Sequence, residues 1–274
     1  MYFNLTGGKA LVTGASSGIG AAFARLLAER GCSVVLTARR EERLQALAAE
    51  LEQAHGVAVD VLAADLSAAE GIAAVAARIN TMGRLDLLVN NAGFGTAVHF
   101  VELDQADHDA MIGVHIEAVL HTCRAALPGM IARGRGAIIN VSSVSAFMAT
   151  PGSVTYAASK AYLASFSEGL SVETAGSGVL VQALCPGFTV TELHDSVKPG
   201  PTNDLFNPRR IPGWLWMQPE QVAEASLRAL ERGRSGVVTP GLHYRLGAAA
   251  ARSGLVSPAQ AARLKAIFLG GRTQ

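Results

Sequence analysis

The stretch Thr13-Gly14-Ala15-Ser16-Ser17-Gly18-Ile19-Gly20 (TGASSGIG) follows the apolar run 10–13, and together they predict the fold. The apolar run is typical of a buried strand. The next apolar residues have the spacing of an amphipathic helix, at Ile19, Phe23, Leu26 and Leu27. Between a strand and a helix, backbone N–H groups and the helix dipole favour an anion, and missing Cβ atoms let it approach. We predict a phosphate-binding turn. A ligand-free tight turn is the alternative, because the G-x-x-x-G-x-G spacing differs from the G-x-G-x-x-G fingerprint.

A second motif, Tyr156-Ala157-Ala158-Ser159-Lys160, places a phenol and an ammonium four residues apart. In a helix the two side chains share one face, and the charge of Lys160 favours the phenolate, which lowers the pKa of Tyr156. A tyrosine tuned in this way can exchange a proton with a substrate oxygen. Ser143 lies thirteen positions upstream and adds a hydroxyl. The pair alone also fits an ordinary exposed helix, so the prediction depends on the glycine-rich turn.

The composition indicates one large α/β domain with an extensive apolar core. The chain has 274 residues, of which 50% are hydrophobic and 16% charged, and its net charge is +1. This charge gives no electrostatic footprint for nucleic acid, so no such partner is expected. The cysteines form no C-x-x-C pair and are expected to be buried in a reducing compartment; they are Cys32, Cys123 and Cys185. No apolar run reaches about 18 residues, and the first strand begins near residue 10. We therefore expect a cytoplasmic protein without a spanning helix.

Apolar runs alternate with helical patterns, which predicts a parallel sheet covered by helices on both faces. The strand candidates are 10–13, 33–37, 57–63, 85–90, 136–141, 179–184 and 236–239. Two helices have apolar faces, formed by Leu44, Leu47, Ala48 and Leu51 in one and by Ile72, Val75, Ala76 and Ile79 in the other. No repeat or low-complexity linker interrupts this pattern. Residues 1–274 are therefore predicted to form a single domain of about seven strands.

Five motifs, in this order along the chain, resemble the short-chain dehydrogenase/reductase family of the non-extended type. They are TGASSGIG, Asn90-Asn91-Ala92-Gly93, Ser143, Tyr156 with Lys160, and Pro186-Gly187. The resemblance covers about residues 5–240. It implies a doubly wound, Rossmann-type α/β fold, a nicotinamide cofactor, and interconversion of a carbonyl and an alcohol. It predicts no metal site.

The resemblance implies a cofactor site at the carboxyl ends of the strands. Its expected residues are Gly14, Ser16, Ser17, Gly18, Ile19, Gly20, Asp65, Leu66, Asn91, Ala92, Gly93, Tyr156, Lys160, Pro186, Gly187, Thr189 and Thr191. The second predicted strand leads to Ala38, where an NAD-binding chain usually has an acidic residue for the ribose 2′-hydroxyl. Arg39 and Arg40 follow, and guanidinium groups pair well with phosphate. We predict NADP(H) rather than NAD(H), with Arg39 favoured over Arg40. Alternatively, both arginines simply begin a solvated helix.

The resemblance also assigns the chemistry. Tyr156 is the general acid in reduction, Lys160 lowers its pKa and holds the nicotinamide ribose, and Ser143 donates to the carbonyl oxygen. The family usually has a fourth residue, an asparagine that holds a water linked to the lysine. Here His115 stands at that place. It either continues a proton relay, adding its own titration to the pH dependence of activity, or is a structural histidine.

The substrate loop is expected at about 190–218, where Trp214-Leu215-Trp216-Met217 forms an apolar patch. Further apolar side chains are expected near the site, at Phe94, Phe147, Met148 and Phe188. This composition favours a hydrophobic or bulky substrate, unless the tryptophans only pack the loop against the body. Residues 240–274 are expected to form a helical extension, more plausibly at a subunit interface than on a membrane surface. A homodimer or homotetramer is expected from the resemblance.

These observations favour an NADPH-dependent carbonyl reductase or alcohol dehydrogenase. One alternative is a specialised biosynthetic or non-redox enzyme on the same fold, for which the His115 substitution leaves room. Another is a catalytically silent cofactor-binding sensor. The intact Ser143, Tyr156 and Lys160 argue against the sensor, because cofactor binding does not need all three. Net consumption of NADPH with a carbonyl distinguishes a carbonyl reductase or alcohol dehydrogenase from both alternatives.

Overall fold

The computed structural model describes residues 3–149, 151–192, 211–254, 257 and 260. The central part of the expected substrate loop and most of the expected extension after residue 254 lie outside these residues. Seven strands are found at the predicted places. They are β1 (Lys9–Thr13), β2 (Ser33–Ala38), β3 (Val59–Ala63), β4 (Leu87–Asn90), β5 (Gly136–Val141), β6 (Val179–Leu184) and β7 (Gly236–Val238).

Helices connect the strands and cover the sheet. They are α1 (Gly18–Glu29), α2 (Glu41–His55), α3 (Ala69–Thr81), α4 (Gln105–Ile112), α5 (Ala118–Ala132), α6 (Val154–Glu173), α7 (Pro219–Glu231) and α8 (Leu242–Arg252). A π-helical turn, Gly113–Glu117, joins α4 to α5, and short 3-10 turns lie at 100–102, 144–147 and 213–215. None of the described helices is long and apolar enough to cross a membrane.

All seven strands are parallel and have the order β3-β2-β1-β4-β5-β6-β7. The chain builds outward from β1 to β3, then returns to the other side of β1 with β4. In an open parallel sheet, this reversal leaves a crevice at the carboxyl ends of the two central strands. The segments after β1 and β4 therefore meet at one edge, as the doubly wound prediction requires.

Alternating side chains of the sheet enter two apolar layers, one on each face. Within β1, Val12 belongs to the layer under α1, α2 and α7, while Leu11 belongs to the layer under α3, α5 and α6. The predicted apolar faces of α2 and α3 lie in these layers, with Leu44, Leu51 and Val75 almost fully buried. Each such side chain contributes about 1.5–3 kcal/mol through removal from water. The layers hold the sheet edge, and hence the crevice, in a fixed geometry.

A polar chain crosses the apolar interior beside β4 and β5. The Asn90 amide donates to Asn140 Oδ1 at 2.9 Å, Thr122 Oγ1 donates to Asn90 Oδ1 at 2.9 Å, and Asn140 donates to Ser167 Oγ at 2.9 Å. Since all four side chains are buried, these bonds satisfy groups that would otherwise be costly to desolvate. The network fixes the end of β4, where the Asn91-Ala92-Gly93 segment begins. The cysteines are free and buried, as predicted.

Candidate active site

A cleft of about 910 Å³ opens along the carboxyl edge of the sheet. Nearly all the residues predicted to bind cofactor or substrate line it, although the first and last of them, Gly14 and Leu215, are 201 positions apart along the chain. Of the predicted catalytic and cofactor-binding residues, two do not reach its surface. Gly20 packs behind the glycine-rich turn, and His115 is buried behind the segment that follows β4.

The glycine-rich turn is a close-packed cradle at the start of α1. Gly14 and Gly18 have φ angles of 66° and 53°, which side chains rarely permit. A Cβ at Gly20 would lie 2.2 Å from the Gly14 carbonyl oxygen, so glycine is required there for packing. The Asn91 amide donates to the carbonyls of Thr13 and Gly14 at 3.0 and 3.2 Å. The turn therefore presents backbone and the amino end of α1 to the cleft, an arrangement that suits a phosphate.

Arg40 lies across this turn. Its guanidinium donates to Ser16 Oγ at 2.9 Å and to Ser17 Oγ at 2.9 Å, and it pairs with Glu192 at 2.8 Å. Arg43 also pairs with Glu192, at 2.6 Å, and these two arginines hold the pKa of the Glu192 carboxyl below its usual range. Glu192 and Arg43 are not among the site residues predicted from the sequence. Glu192 and Arg43 are 149 positions apart along the chain. The residues next to Glu192 therefore did not indicate that it would pair with Arg43.

Arg39 lines the same end of the cleft as Asp65. The backbone N–H of Ser67 donates to Asp65 Oδ1 at 2.9 Å, and its hydroxyl donates to the same oxygen at 2.7 Å. These bonds, with the nearby charge of Arg39, hold the pKa of Asp65 below its usual range. Asp65 is therefore an ionised acceptor at the edge of the cleft, next to the buried Leu66.

The acid–base group stands at the centre of the cleft. Ser143 follows β5, whereas Tyr156 and Lys160 share the first turns of α6. The Lys160 ammonium lies 5.6 Å from the centre of the Tyr156 ring and donates to the Val141 carbonyl at 2.9 Å. Ser142 Oγ donates to the Lys160 carbonyl at 2.6 Å, which ties α6 to the end of β5. Burial lowers the pKa of Lys160 to about 8.

The predicted lowering of the Tyr156 pKa by Lys160 is wrong for the protein described here. Burial raises the pKa of Tyr156, and a hydrogen bond with Ser143 offsets part of that effect. Tyr156 is half-buried and lines the cleft. Its distance from the ammonium and the desolvation of both groups outweigh the attraction that the sequence spacing suggested. Tyr156 is therefore protonated at neutral pH and able to donate.

His115 lies in the π-helical turn and is fully buried. The Phe94 N–H donates to His115 Nε2 at 3.2 Å, which leaves the proton on Nδ1, 2.8 Å from Ser159 Oγ. Ser159 Oγ donates in turn to the Tyr156 carbonyl at 2.8 Å. The ring thus joins the segment after β4 to the helix that carries the acid–base group.

Of the two alternatives left open for His115, a titrating relay and a structural histidine, the burial of the ring favours the structural one. Burial, with the nearby positive charge of Lys160, holds the pKa of His115 well below its usual value. Both ring nitrogens bond to protein groups, and a Cβ at Gly93 would lie 2.7 Å from Nε2. A structural role accounts for these contacts. The proton relay stays a hypothesis.

The other end of the cleft is mainly apolar and aromatic. Seven of the side chains that line this end are called the aromatic wall below: Phe94, Met148, Phe188, Trp214, Leu215, His243 and Tyr244. His243 and Tyr244 come from α8 and were not predicted. Phe147, which was expected near the site, instead packs under β6 with Ala164 and Cys185 and takes no part in the lining. Its position after Ser143 did not reveal that the 3-10 turn directs it away from the cleft.

Comparisons with known proteins agree with this geometry. A sequence profile described as short chain dehydrogenase matches residues 8–201. The chain belongs to the short-chain dehydrogenase/reductase family. An uncharacterised oxidoreductase of Staphylococcus saprophyticus is 36% identical over 224 residues, covering 81% of this chain and 91% of that protein. The family relationship makes this chain an oxidoreductase with a nicotinamide-binding fold and confirms the resemblance seen in the five motifs.

Two solved structures of the family are also similar. A short-chain dehydrogenase from Sphingobium yanoikuyae in complex with NADPH has 37% identity and a TM-score of 0.79, covering 90% of this chain and 94% of that one. A bulky-bulky ketone specific alcohol dehydrogenase from Comamonas testosteroni has 31% identity and a TM-score of 0.76, covering 90% and 93%. The profile match of the dehydrogenase family ends before α7 and α8. His243 and Tyr244, which α8 contributes to the aromatic wall, therefore lie outside it.

Proposed function

We propose that this oxidoreductase interconverts a carbonyl and an alcohol on a bulky, apolar small molecule with NADP(H). The observation that carries the proposal is the convergence of Ser143, Tyr156 and Lys160 in one cleft, between a phosphate cradle and an aromatic wall. Neither end alone would specify the reaction. A cradle without the acid–base group would suit a binding protein, and an apolar pocket without the cradle would suit a carrier.

The residues present fit a nicotinamide dinucleotide phosphate. Side chains at Gly14 and Gly20 would collide with Ala92 and with the Gly14 carbonyl, so glycine lets the turn pack closely and present its backbone to a pyrophosphate. Arg40 lies over the turn and Arg39 stands beside it, while the end of β2 offers Ala38 rather than an acid. This charge pattern favours a 2′-phosphate over a 2′-hydroxyl, and therefore NADP(H) over NAD(H). The NADPH complex of the Sphingobium enzyme supports the same choice.

Each group of the catalytic centre has a role that follows from its state. A bound nicotinamide supplies or accepts the hydride. Tyr156, protonated at neutral pH, donates a proton to the substrate oxygen during reduction. Ser143 donates a second hydrogen bond to that oxygen as negative charge grows on it. Lys160, with a pKa of about 8, is mostly charged at neutral pH. When Tyr156 gives up its proton, this ammonium, 5.6 Å from the ring centre, attracts the phenolate and offsets part of the cost of its burial.

The shape and lining of the cleft support a bulky substrate. The aromatic wall leaves room beside Tyr156 for a large apolar group and offers few polar partners to a sugar. The alcohol dehydrogenase from Comamonas testosteroni, described as specific for bulky-bulky ketones, is a relative in which such a substrate is named.

We further propose a cytoplasmic homo-oligomer. Three free, buried cysteines suit a reducing compartment. The helices α5 and α6 leave apolar side chains exposed, with Ile131 47% and Val172 76% accessible, and such side chains suit a subunit interface. Sedimentation of the purified protein tests the assembly, and a monomer at micromolar concentration would contradict it.

The reaction is tested by following NADPH oxidation with a panel of aldehydes, ketones and quinones, with NADH in parallel. Tyr156→Phe is expected to reduce kcat by about 10²–10⁴-fold while NADPH still binds, because only the transferable proton is lost. Tyr162→Phe is the matched control, since Tyr162 stacks on Phe166 away from the cleft. Binding of NADPH without turnover on any carbonyl would contradict the proposal and favour a specialised enzyme or a sensor.

A further inference from the structure

Tyr244 joins three segments of the active site through one side chain. Its hydroxyl accepts from the Phe188 N–H at 3.0 Å and donates to the Leu215 carbonyl at 2.8 Å. Phe188 belongs to the loop after β6 that contains Pro186-Gly187, and Leu215 belongs to the far wall of the cleft. Tyr244 itself comes from α8. Without this hydroxyl, the Phe188 N–H and the Leu215 carbonyl would each lose this hydrogen bond. The loss of a hydrogen bond by a buried backbone group destabilises the fold.

The ring of Tyr244 fills the place of a side chain at Gly187. A Cβ built on Gly187 would lie 2.0 Å from Tyr244 Cζ and 2.1 Å from Cε2. These distances are far below van der Waals contact, so the ring and the glycine backbone are in direct contact. Gly187 does not have a positive φ angle, and its lack of a side chain is therefore explained by the ring and not by backbone conformation.

Aromatic contacts extend the connection on both sides of Tyr244. His243 packs against Trp214, with ring centres 5.4 Å apart and a T-shaped arrangement. Trp216 packs against Phe188, with ring centres 5.7 Å apart. The backbone N–H of Met217 also donates to the Phe188 carbonyl at 2.9 Å. Residues 214–217 are thus attached to the loop after β6 at several points. The Tyr244 hydroxyl forms a further bridge between this segment and that loop.

We propose that Tyr244 is a positioning residue that fixes the Pro186-Gly187 loop and the Trp214–Trp216 segment relative to each other, and so sets the geometry for bulky substrates. This inference rests on the proposed function. Burial raises the pKa of Tyr244 to about 12, so its phenol keeps its proton and can donate to Leu215 across the working pH range. The profile match of the family ends at residue 201, so Tyr244 and Leu215 lie outside it, while Phe188 and Gly187 lie inside it.

The kinetic test compares Tyr244→Phe with the wild type on two probes, phenanthrenequinone as a bulky carbonyl and propanal as a small one. The variant keeps the ring over Gly187 and loses only the two hydrogen bonds. We expect kcat/KM to fall about tenfold for phenanthrenequinone and about twofold or less for propanal, with the Kd for NADPH changed less than about twofold. Tyr162→Phe should match the wild type on both probes. Equal losses on both probes, or no loss, would overturn the proposal.

A second readout does not depend on turnover. The chain contains two tryptophans, Trp214 and Trp216, and they flank the Leu215 carbonyl that Tyr244 binds. Acrylamide quenching of their fluorescence should increase about twofold in Tyr244→Phe and stay unchanged in Tyr162→Phe. If the wild type reduces no carbonyl, the proposed function fails while quenching still reports on Tyr244. Unchanged quenching in Tyr244→Phe would refute the positioning role whatever the activity.

Discussion

His115 contributes to the pH dependence of this protein's stability, and His115→Asn should remove that contribution. The fold holds the ring neutral, because burial and the charge of Lys160 keep its pKa well below 6.5. In the unfolded chain the same ring takes up a proton near pH 6.5. As pH falls below that value, the unfolded state binds more protons than the folded state. The free energy of unfolding therefore decreases as the pH falls through the acidic range.

The size of the effect follows from linkage. The slope approaches about 1.4 kcal/mol per pH unit below the unfolded pKa, and the loss between pH 7.5 and 5.0 amounts to about 2 kcal/mol while the folded ring stays neutral. His115→Asn also disturbs the bonds to Phe94 and Ser159 at every pH, at a cost of about 1–3 kcal/mol for each buried group left unsatisfied. The variant should be less stable at pH 7.5, and the difference should shrink by about 2 kcal/mol at pH 5.0.

Urea unfolding followed by circular dichroism at the two pH values measures these differences. His121→Asn is the control, because His121 is exposed on α5 and meets water in both states. Between pH 7.5 and 5.0, His121→Asn should lose as much stability as the wild type does. If the wild type and His115→Asn lose equal stability between pH 7.5 and 5.0, the ring is not held neutral and the reasoning fails. The pH profile of kcat/KM should keep its shape in His115→Asn, and a shifted profile would favour the proton relay instead.

Two further substitutions test other contacts of the site. Glu192→Gln removes the carboxylate that pairs with Arg40 and Arg43. Both arginines are then available to a 2′-phosphate, so the variant should bind NADPH about threefold more tightly and NADH as the wild type does. The gain is small because an exposed ion pair contributes up to about 1 kcal/mol. Fluorescence titration at low and high salt measures this, and an equal gain for both cofactors would contradict it. Gly187→Ala should destabilise the ligand-free protein by about 1–3 kcal/mol, but by less than about 0.5 kcal/mol when combined with Tyr244→Ala. Additive costs in a double-mutant cycle of thermal unfolding would show that the ring does not fill that space.

The sequence determined the family, the seven strands and the apolar faces of the helices. These features are local, because a strand, a glycine-rich turn and the face of a helix are each specified by neighbours within a few residues. Tyr156 and Lys160 share a face of α6 for the same reason, as their spacing predicted. The doubly wound order then brings the carboxyl ends of the strands together, and nearly all predicted residues reach one cleft.

The tertiary structure alone decided the states and partners of those residues. Arg40 meets Glu192 across 152 positions, and Tyr244 reaches Phe188 across 56. No local spacing encodes such contacts. The sequence suggested that Tyr156 would have a lowered pKa, and burial reversed that expectation. For His115 the sequence left a titrating relay and a structural role open, and burial favours the structural role. The physical reason is that a charge loses its hydration in the packed interior, and the degree of packing is a property of the whole fold.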